Sequence, residues 1–465
     1  MSQKKESPRR QLLMQKKNGY EKLSPDDLRA MDEYCSAYID IMNRAKTERE
    51  FVKETIRLAE SSGFRPLERG TKLEPGDRVY RSVRGKGLCL AVIGREPMEQ
   101  GTRIVAAHID SPRLDLKPNP LSEEGGMVYF KTHYYGGIKK YQWVTIPLEL
   151  HGVVVLKSGE TVEINIGAQP GDPVFTITDL LPHLGADQMK KTMAEGITGE
   201  ALRVLLGSRP DPDDEGDNRV KIMTLGILNE IYGIREEDFL SAELSLVPGF
   251  RAGELGFDRS LLAAYGHDDR VCSFAGFKAL TELDVPDKTA VCILTDKEEI
   301  GSCGVSGAQS EAYDTFFDDL CRQDGSCLRV CYENSFCLSC DVTNAHDPLY
   351  ADVDEMQNTT EINYGVGICK YTGARGKSGA SDASAEVMGR LRAAFERDGI
   401  IWQSSDMGKV DKGGGGTVAV FFANRDIDTV DAGVPVLSMH APYEVVSKLD
   451  TYMTYKAAKA IYKGV

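Results

Sequence analysis

Five short apolar runs constrain the fold of this chain more than any other feature of its sequence. Each run is continuously apolar rather than alternating, which is typical of strands that are covered on both faces of a sheet. The runs are RIVAAHI (103–109), TAVCILTD (289–296), FCLSCDV (336–342), TVAVFFA (417–423) and VPVLSMHA (434–441). Helical patterns lie between or after several of them, at 270–283, 381–397 and 450–463. This order predicts an α/β sheet.

The N-terminal quarter of the chain carries the signal of a helix. Ser24 can cap it, and Pro25 suits its first position. The helical pattern continues to about Ser62, where Gly63 can end it. We therefore predict a long helical stretch before the strands of the sheet begin.

The stretch 119–248 has a different character. HGVVVLKSGETVEINIG (151–167) predicts two strands around a Ser-Gly turn, and SRPDPDDEGDNR (208–219) predicts a polar loop. A chain of 465 residues is also long enough for two or three domains. We predict one α/β domain, formed by 1–118 and 249–465, that is interrupted by an inserted, mostly β domain over 119–248.

The net charge limits the classes of partner. The chain has 56 Lys and Arg against 71 Asp and Glu, a net charge of −15. A negative field repels polyanions, which argues against binding to nucleic acid or to an anionic membrane. The apolar runs also fall short of the 18 or so residues that a membrane-spanning helix needs. The first 20 residues are basic and lack an apolar segment, so we expect a solvated arm rather than a secretory signal.

The cysteines indicate a reducing compartment. The chain has 11 of them, and within the cluster from 321 to 340 the pair Cys337 and Cys340 has the spacing of half a zinc knuckle. That pair lies inside an apolar run, without a matching second half. We expect reduced, mostly buried thiols in a cytoplasmic protein.

Polar side chains follow the apolar runs at the points where strands are expected to end. They are His108 and Asp110, then Asp296 with Glu298 and Glu299, then Asp341 and His440, together with Asp268 and Asp269 just before a helix. In an open α/β sheet, ligands bind at the carboxyl ends of the strands. We therefore expect these groups to converge on one edge of the sheet, although they lie far apart in the sequence.

Such a cluster of carboxylates and imidazoles predicts a metal centre. Buried carboxylates are costly unless cations neutralise them. Imidazole and carboxylate donors, without cysteine, suit zinc, manganese or cobalt in a hydrolytic site. Two divalent ions would balance three carboxylates and a bridging hydroxide, and such a site would still hold a nucleophile.

Two groups in the set can serve catalysis without binding metal. Asp110 lies two residues after His108 and could orient its imidazole. In the tandem Glu298-Glu299, one carboxylate can bind metal while its neighbour stays free as a general base. Each motif alone is usually structural, whereas the joint occurrence in this order is specific.

Five motifs surround these residues. They are AAHIDSPRLDLKP (106–118), GHDDRVCSFAGFKAL (266–280), LTDKEEIGSCGVSGA (294–308), SCDVTNAHDPLY (339–350) and SMHAPYE (438–444). Together they resemble the aspartyl aminopeptidase family of dimetal peptidases, and its bacterial branch in particular, over nearly the whole chain. The resemblance implies a zinc-peptidase-like α/β/α sandwich, an inserted dimerisation domain, and metal-dependent release of the N-terminal residue of peptides.

The resemblance also implies a set of metal ligands. Carried over by motif, His108, Asp268 and Asp341 would hold one ion. Asp268, Glu299 and His440 would hold the other, so that Asp268 bridges the two. The ions are expected to be zinc, with cobalt and manganese as alternatives.

The same resemblance gives Glu298 the role of general base, with Asp110 as a second catalytic residue. Family members commonly join the bridging aspartate to the next residue by a cis peptide, and Asp269 fits that next position. Asp269 stands where many eukaryotic members have Asn. Asp269 is therefore an alternative to Asp268 as the bridging residue.

An assembly is implied as well. Members of the family are typically twelve-subunit shells built from dimers, in which the inserted domain lends a histidine to the neighbouring active site. His183 is the best positional match for that histidine, with His133 and His151 as alternatives. We interpret His346, which follows Asp341 closely, as a supporting or structural residue.

An N-terminal Asp or Glu is the substrate residue that the resemblance favours, and its recognition requires a cation in the pocket. Lys370 best matches the basic residue of the family, with Arg375 and Lys377 as competitors. The net charge gives no support to this preference, because an acidic protein repels acidic peptides unless the pocket reverses the local field. The glycines at 413–416 are expected to form a loop where a substrate backbone passes closely, and YYGG (134–137) is assigned no role.

Two other functions fit parts of the pattern. A dimetal deacylase or carboxypeptidase would share the ligands, although the insert and the flanking motifs favour an aminopeptidase. An inactive metal-binding scaffold would share the fold, but degenerate members usually lose a ligand or the base, and here all are present. We therefore expect a homo-oligomer that acts on peptides and binds neither nucleic acid nor membrane.

Overall fold

A nine-stranded sheet forms the centre of the α/β domain in the computed structural model, which describes residues 9, 12–14 and 16–465. Its strands are β1 (Arg65–Pro66), β2 (Arg78–Val83), β3 (Gly87–Val92), β4 (Arg103–His108), β13 (Ala290–Thr295), β14 (Phe336–Ser339), β16 (Val366–Cys369), β17 (Trp402–Ser404) and β18 (Asp428–Gly433). Their order across the sheet is β1-β2-β3-β13-β4-β14-β18-β16-β17. The neighbours β13, β4, β14 and β18 run parallel, so their carboxyl ends meet at one edge.

Helices cover both faces of this sheet. The α-helices of the described residues are α1 (Pro25–Arg44), α2 (Glu48–Ser61), α3 (Met193–Gly196), α4 (Arg219–Tyr232), α5 (His267–Thr281), α6 (Glu311–Asp324), α7 (Leu328–Glu333), α8 (Ala385–Arg397), α9 (Ala419–Ala423) and α10 (Lys448–Lys463). Successive strand residues point to opposite faces, so Val105 belongs to the core cluster that includes residues of α1, α5 and α10. Ile104 belongs to the cluster that includes residues of α6, α7 and α9. The predicted α/β/α sandwich is confirmed.

One predicted strand is a helix. The run TVAVFFA (417–423) forms α9, whose Phe422 packs into the core on one face of the sheet. A continuous apolar run of this length cannot be assigned by periodicity, because a short buried helix gives the same pattern. The strand beside β14 is β18 instead, and its two aspartates make it look like a loop.

The predicted N-terminal helix is two helices. Ser24 caps α1 as predicted, in a reciprocal hydrogen-bonded box with Asp27. The chain leaves the helix at Ala45, and Thr47 then caps α2 in the same way with Glu50. A second Thr-x-x-Glu capping signal inside the helical pattern explains the break.

The inserted region is built on a second, antiparallel sheet. Its strands are β5 (Arg113–Glu124), β6 (Met127–Tyr135), β7 (Leu148–Val155), β8 (Thr161–Ile166), β9 (Arg203–Gly207) and β10 (Ala242–Pro248), in the order β8-β7-β10-β5-β6-β9. The predicted hairpin at 151–167 is the pair β7 and β8. The sheet starts at Arg113, ahead of the predicted boundary at 119, and has an apolar core of its own that includes Trp143.

A third sheet, which the sequence analysis does not predict, joins five short strands. They are β11 (Gly253–Leu255), β12 (Leu261–Ala264), β15 (Thr343–Asn344), β19 (Pro435–Leu437) and β20 (Glu444–Ser447), in the order β11-β12-β20-β19-β15. The predicted strand at 434–441 is therefore only β19, and it lies outside the central sheet. Strands of two to four residues leave little periodic signal.

Three predictions concern the chain as a whole. Within the part of the chain that the structure describes, each helix is too short or too polar to cross a bilayer. The 11 cysteines all lie in that part as free thiols, and most are buried. Most of the predicted basic arm falls outside the described residues.

A buried charged cluster fastens the inserted region to α2. His151 Nδ1 lies 2.7 Å from Glu50 Oε1, and its Nε2 lies 3.1 Å from Glu149 Oε2. Lys46 Nζ pairs with the same Glu149 oxygen at 2.8 Å. Burial alone lowers the pKa of His151, but the two carboxylates outweigh it and raise that pKa above its usual value. The imidazolium is therefore the form that this interface stabilises.

Replacing His151 by Gln is expected to lower the free energy of unfolding by about 3 kcal/mol at about pH 6, because one buried carboxylate loses its charged partner. A raised folded-state pKa adds stability below the unfolded value of about 6.5, and that stability is lost as the pH rises through the folded value. Urea unfolding from about pH 6 to 9 should therefore show the difference between wild type and variant shrinking. His133→Gln, at an exposed site of the same domain, is the control; a difference that is constant with pH would contradict the assignment.

Candidate metal centre

The central sheet brings four of the predicted groups to one place. β4 ends at His108, the turn after β13 carries Glu298 and Glu299, and Asp341 follows β14. These three strands are parallel neighbours, so the groups meet at their carboxyl ends.

The third sheet supplies two more groups. Asp268 lies in the first turn of α5, after β12, and His440 lies in the turn between β19 and β20. The carboxylate of Glu444 joins these segments, because it accepts the backbone N–H of Asp268 at 3.1 Å and that of His440 at 2.6 Å. Sequence reasoning missed Glu444. An acidic residue that opens an apolar strand inside SMHAPYE (438–444) is the signal that could have found it.

Asp268 lies between the two imidazoles. Its Oδ1 is 3.1 Å from His108 Nε2, and its Oδ2 is 3.1 Å from His440 Nε2. Asp269 makes a different contact, since its Oδ2 accepts the backbone N–H of His108 at 3.4 Å. A cis peptide joins Asp268 to Asp269, as the resemblance implies. Of these two aspartates, Asp268 is the one that offers an oxygen to each histidine.

The other carboxylates surround the imidazoles. Glu299 Oε2 lies 3.5 Å from His440 Nε2. Glu298 Oε2 and Asp341 Oδ1 lie 3.9 and 4.0 Å from His108 Nε2. All the ligands that the sequence suggests are therefore in one cluster.

Two sets of donor atoms in this cluster are compact enough to hold an ion. His108, Asp268 and Glu299 form one set, and His108, Asp269 and Asp341 form the other, with the atoms of each set within 4.8 Å of one another. The second set contains Asp269 where the resemblance implies Asp268. The division of ligands between two ions therefore stays a prediction.

Both imidazoles are held from the opposite ring nitrogen. His108 Nδ1 lies 3.0 Å from the carbonyl oxygen of Asp110 and 3.3 Å from its Oδ1. His440 Nδ1 lies 2.8 Å from the carbonyl oxygen of Gly137, in the inserted region. Metal-binding histidines are commonly oriented in this way. The contact between Asp110 and His108 agrees with the sequence prediction, whereas the contact from Gly137 was not predicted.

The electrostatics of the cluster favour a cation. Burial raises the pKa of Glu298 to about 7. Burial, followed by the negative charge of Asp268, raises the pKa of Glu299 well above its usual range. Burial and the charge of Asp269 do the same for the pKa of Asp341. In carboxyl groups shifted in this direction, the positive charge nearby is too small to offset burial and the neighbouring negative charges.

Two unpartnered oxygens point to the same need. Asp269 Oδ1 and Glu299 Oε1 are buried and accept no hydrogen bond from the described residues. Such atoms are costly to bury unless a cation or a donor meets them. With imidazole nitrogens beside them, these oxygens fit a divalent ion of the zinc, manganese or cobalt type.

A cavity of about 390 Å³ opens beside Asp341. Its wall includes Tyr371, Met407 and the glycines 413–415. A Cβ on Gly413 would lie 1.7 Å from the carbonyl oxygen of Met407, so only glycine allows this approach of two backbone segments. The glycine-rich loop thus lies where part of a molecule bound beside Asp341 would pass.

Three cationic side chains line this cavity: Arg375, Lys377 and Lys409. Lys377 pairs with Asp382 at 3.0 Å, whereas Arg375 has no hydrogen-bond or ion-pair partner among the described residues. Lys370, the residue selected from the sequence, is not part of the wall, and its Nζ pairs with Asp382 at 2.6 Å. Of the three cations considered in the sequence analysis, Arg375 is thus the one that lines the cavity without a partner among the described residues.

The other histidines named in the sequence analysis lie outside the cluster. His183 and His133 are exposed on the inserted region, and His151 is buried between two glutamates. His346 Nδ1 pairs with Asp354 at 2.7 Å, in keeping with a structural role. A role for His183 toward a neighbouring subunit stays a prediction.

Comparison with known proteins identifies the family of the chain. The family model described as aminopeptidase I zinc metalloprotease (M18) matches residues 41–462. The chain belongs to the M18 aminopeptidase family. This finding confirms the resemblance that the sequence motifs indicate, and it makes the chain a metallo-aminopeptidase rather than a deacylase or carboxypeptidase.

The relatives of this M18 aminopeptidase match it from end to end. A probable M18 family aminopeptidase 1 of Clostridium acetobutylicum is 45% identical and covers 95% of this chain and 97% of its own length. The crystal structure of an M18 family aminopeptidase from Thermotoga maritima has a TM-score of 0.93 at 43% identity, covering 97% of this chain and 100% of that one. The mApe1 dodecamer of S. cerevisiae shares the fold, with a TM-score of 0.76 at 20% identity and coverage of 94% and 97%.

Proposed function

We propose that this M18 aminopeptidase holds two divalent metal ions and hydrolyses the bond after the N-terminal residue of peptides. The observation that carries the proposal is the position of Asp268, whose two oxygens each lie 3.1 Å from a different imidazole. A carboxylate so placed can bridge two ions. His108 and Asp341 would complete one ligand set, and Glu299 and His440 the other.

The ions and the side chains would have separate roles in the hydrolysis. Zinc suits these donors, with cobalt and manganese as alternatives, and such ions lower the pKa of a water and polarise the scissile carbonyl. Glu298 would accept the proton of that water and pass it to the leaving amine. The side chain of Glu298 is 18% exposed, against 3% for Glu299, so Glu298 can meet water while Glu299 is enclosed beside His440. Asp110 would keep the imidazole of His108 oriented.

We further propose that the enzyme prefers Asp or Glu as the N-terminal residue, and that Arg375 recognises it. The guanidinium lines the cavity beside Asp341 and has no protein partner among the described residues, so it is free to pair with a substrate carboxylate. Besides Asp341, three aspartates share the wall: Asp406, Asp411 and Asp431. They reduce the positive field, so a neutral N-terminal residue is the alternative outcome.

A panel of aminoacyl-p-nitroanilides tests both proposals. Metal-stripped protein should regain release of the N-terminal residue with zinc, cobalt or manganese, and release should be fastest with Asp or Glu. Arg375→Ala should lower kcat/KM for Glu by about 10–100-fold, the effect of one charge-assisted hydrogen bond, and change that for Leu little. Lys370→Ala is the matched control, because Lys370 already pairs with Asp382.

Each other outcome of the panel has a definite meaning. Fastest release of apolar residues would contradict the acidic preference and keep the aminopeptidase. Equal effects of Arg375→Ala and Lys370→Ala on Glu would contradict the role of Arg375. Absence of release with every metal would contradict the enzyme and favour the inactive scaffold.

We propose that the enzyme is a cytoplasmic homo-oligomer, a dodecamer built from dimers through the inserted domain. The S. cerevisiae mApe1 of the same fold is a dodecamer. The stretch 174–193 of the inserted region exposes several large apolar side chains: Val174, Leu180, Leu181, Leu184, Met189 and Met193. Exposed apolar patches mark interaction sites, and free thiols suit a reducing compartment. A monomeric mass in analytical ultracentrifugation would contradict the assembly.

A further inference from the structure

The inserted region reaches into the metal centre through three consecutive residues after β6. The hydroxyl of Tyr135 donates a hydrogen bond to Asp110 Oδ2 at 2.8 Å. The ring of Tyr135 is buried, and the guanidinium of Arg113 lies over it, 3.9 Å from the ring centroid. The hydroxyl is therefore held in place from both sides, by packing and by its hydrogen bond.

The Asp110 carboxylate that Tyr135 contacts organises one half of the centre. It is fully buried and accepts the backbone N–H groups of Glu298 at 3.1 Å and Glu299 at 3.2 Å. Its Oδ1 also lies 3.3 Å from His108 Nδ1. This one carboxylate therefore contacts the imidazole of His108, which the carbonyl of Asp110 also holds, and fixes the turn that carries both glutamates. Tyr135 is the residue whose hydroxyl donates a hydrogen bond to the carboxylate of Asp110.

The two glycines that follow meet the other half of the centre. The carbonyl oxygen of Gly137 lies 2.8 Å from His440 Nδ1, so the opposite nitrogen faces Asp268. Gly136 has a φ of +74°, and a Cβ there would lie 3.1 Å from Glu299 Oε2 and 3.3 Å from Glu299 Cβ. A side chain at 136 would therefore press on a proposed ligand and strain the backbone.

We propose that Tyr135-Gly136-Gly137 is a positioning segment of the metal centre, through which the inserted domain sets the geometry of the ligands in its own chain. The proposal rests on the dimetal function argued above. Tyr135 acts through Asp110, and Gly137 acts through the tautomer of His440. Gly136 provides the space that Glu299 occupies. None of the three is a catalytic residue.

The first test removes only the hydroxyl. In Tyr135→Phe, binding of Co²⁺ to metal-stripped protein should weaken by about 10-fold, as loss of an outer hydrogen-bond partner of a metal ligand typically does. The visible absorption of bound Co²⁺, which responds to ligand geometry, should also change. Tyr332→Phe is the matched control, because its buried hydroxyl donates to Asp314 at 2.9 Å, away from the cluster.

The second test separates ligand crowding from backbone strain. Gly136 follows β6 and Gly126 precedes it, and both have a φ of +74°. A Cβ on Gly126 would meet nothing within 4 Å. Gly136→Ala and Gly126→Ala should therefore lower the melting temperature alike, whereas only Gly136→Ala should weaken Co²⁺ binding and alter its spectrum.

The outcomes distinguish this proposal from the one on which it rests. Wild-type protein that binds no Co²⁺ would overturn the dimetal function itself. Wild-type protein that binds Co²⁺, with Tyr135→Phe and Gly136→Ala matching their controls in affinity and spectrum, would overturn only the positioning segment.

Discussion

Replacing Glu298 by Gln is expected to lower kcat by about 10³-fold while the protein keeps its metal ions. Gln has the same shape as Glu but cannot accept a proton. The backbone N–H of residue 298 still donates to Asp110 in the variant, so the turn should hold its position. Glu298 Oε2 lies 3.9 Å from His108 Nε2 and is the more exposed of the tandem carboxylates, which suits a base rather than an enclosed ligand. Metal content and kcat, measured on one preparation, check the prediction.

The neighbouring glutamate gives the matched control. Glu299 Oε2 lies 3.5 Å from His440 Nε2, and its other oxygen is buried with no hydrogen-bond partner among the residues that the structure describes. Glu299→Gln should therefore lose metal as well as activity, whereas Glu298→Gln should lose activity alone. If Glu298→Gln kept activity within about 10-fold of wild type, the assignment of Glu298 as the general base would be contradicted.

Replacing Asp268 by Asn is expected to abolish activity and to weaken metal binding by more than about 100-fold, beyond the loss typical of an outer-shell partner. The carboxamide has one oxygen where the carboxylate has two, and it carries no charge. In the wild type, Asp268 offers one oxygen to His108 and the other to His440. The variant keeps one such oxygen, so it can bind only one of the two ions. Titration of metal-stripped protein with zinc, followed by calorimetry, measures both affinity and stoichiometry.

Asp269 decides between the two possible bridging residues. Its Oδ2 accepts a hydrogen bond from the backbone of His108, and its Oδ1 has no hydrogen-bond partner in the described part of the chain. Asp269→Asn should therefore leave a stoichiometry of two ions, with a smaller loss of affinity than Asp268→Asn. The reverse pattern would make Asp269 the bridge and overturn the present assignment.

The central strands and their polar ends could be predicted because they depend on short-range pattern. β4, β13 and β14 are continuous apolar runs, and parallel neighbours necessarily bring His108, Glu299 and Asp341 to one edge. Asp268 and His440 were also predicted, although the segments that carry them follow strands of the third sheet rather than of the central one. The ligand cluster was thus predictable although its exact division between two ions was not.

The parts that could not be predicted depend on long-range contacts. β18 holds the exposed Asp428 and the buried Asp431, so its sequence resembles a loop while TVAVFFA (417–423) resembles a strand. Glu444 and Tyr135 act through partners distant in the chain, at Asp268 and at Asp110. A single buried Tyr after an alternating strand is indistinguishable from core packing in one sequence. The roles of such residues can be recognised only from the contacts in the assembled sheets.

The cluster joins ligands beside two separate sheets with contacts from the inserted region, and this arrangement has a consequence for the order of folding. Residues from β4 to the turn before β20 must dock before the donor atoms converge, so tight binding of the ions can come only late. Ions that bind only the docked arrangement then stabilise it by mass action. The ions would therefore link the sheets at a late step of folding. Removing them with a chelator would weaken the packing between sheets rather than the order of single loops.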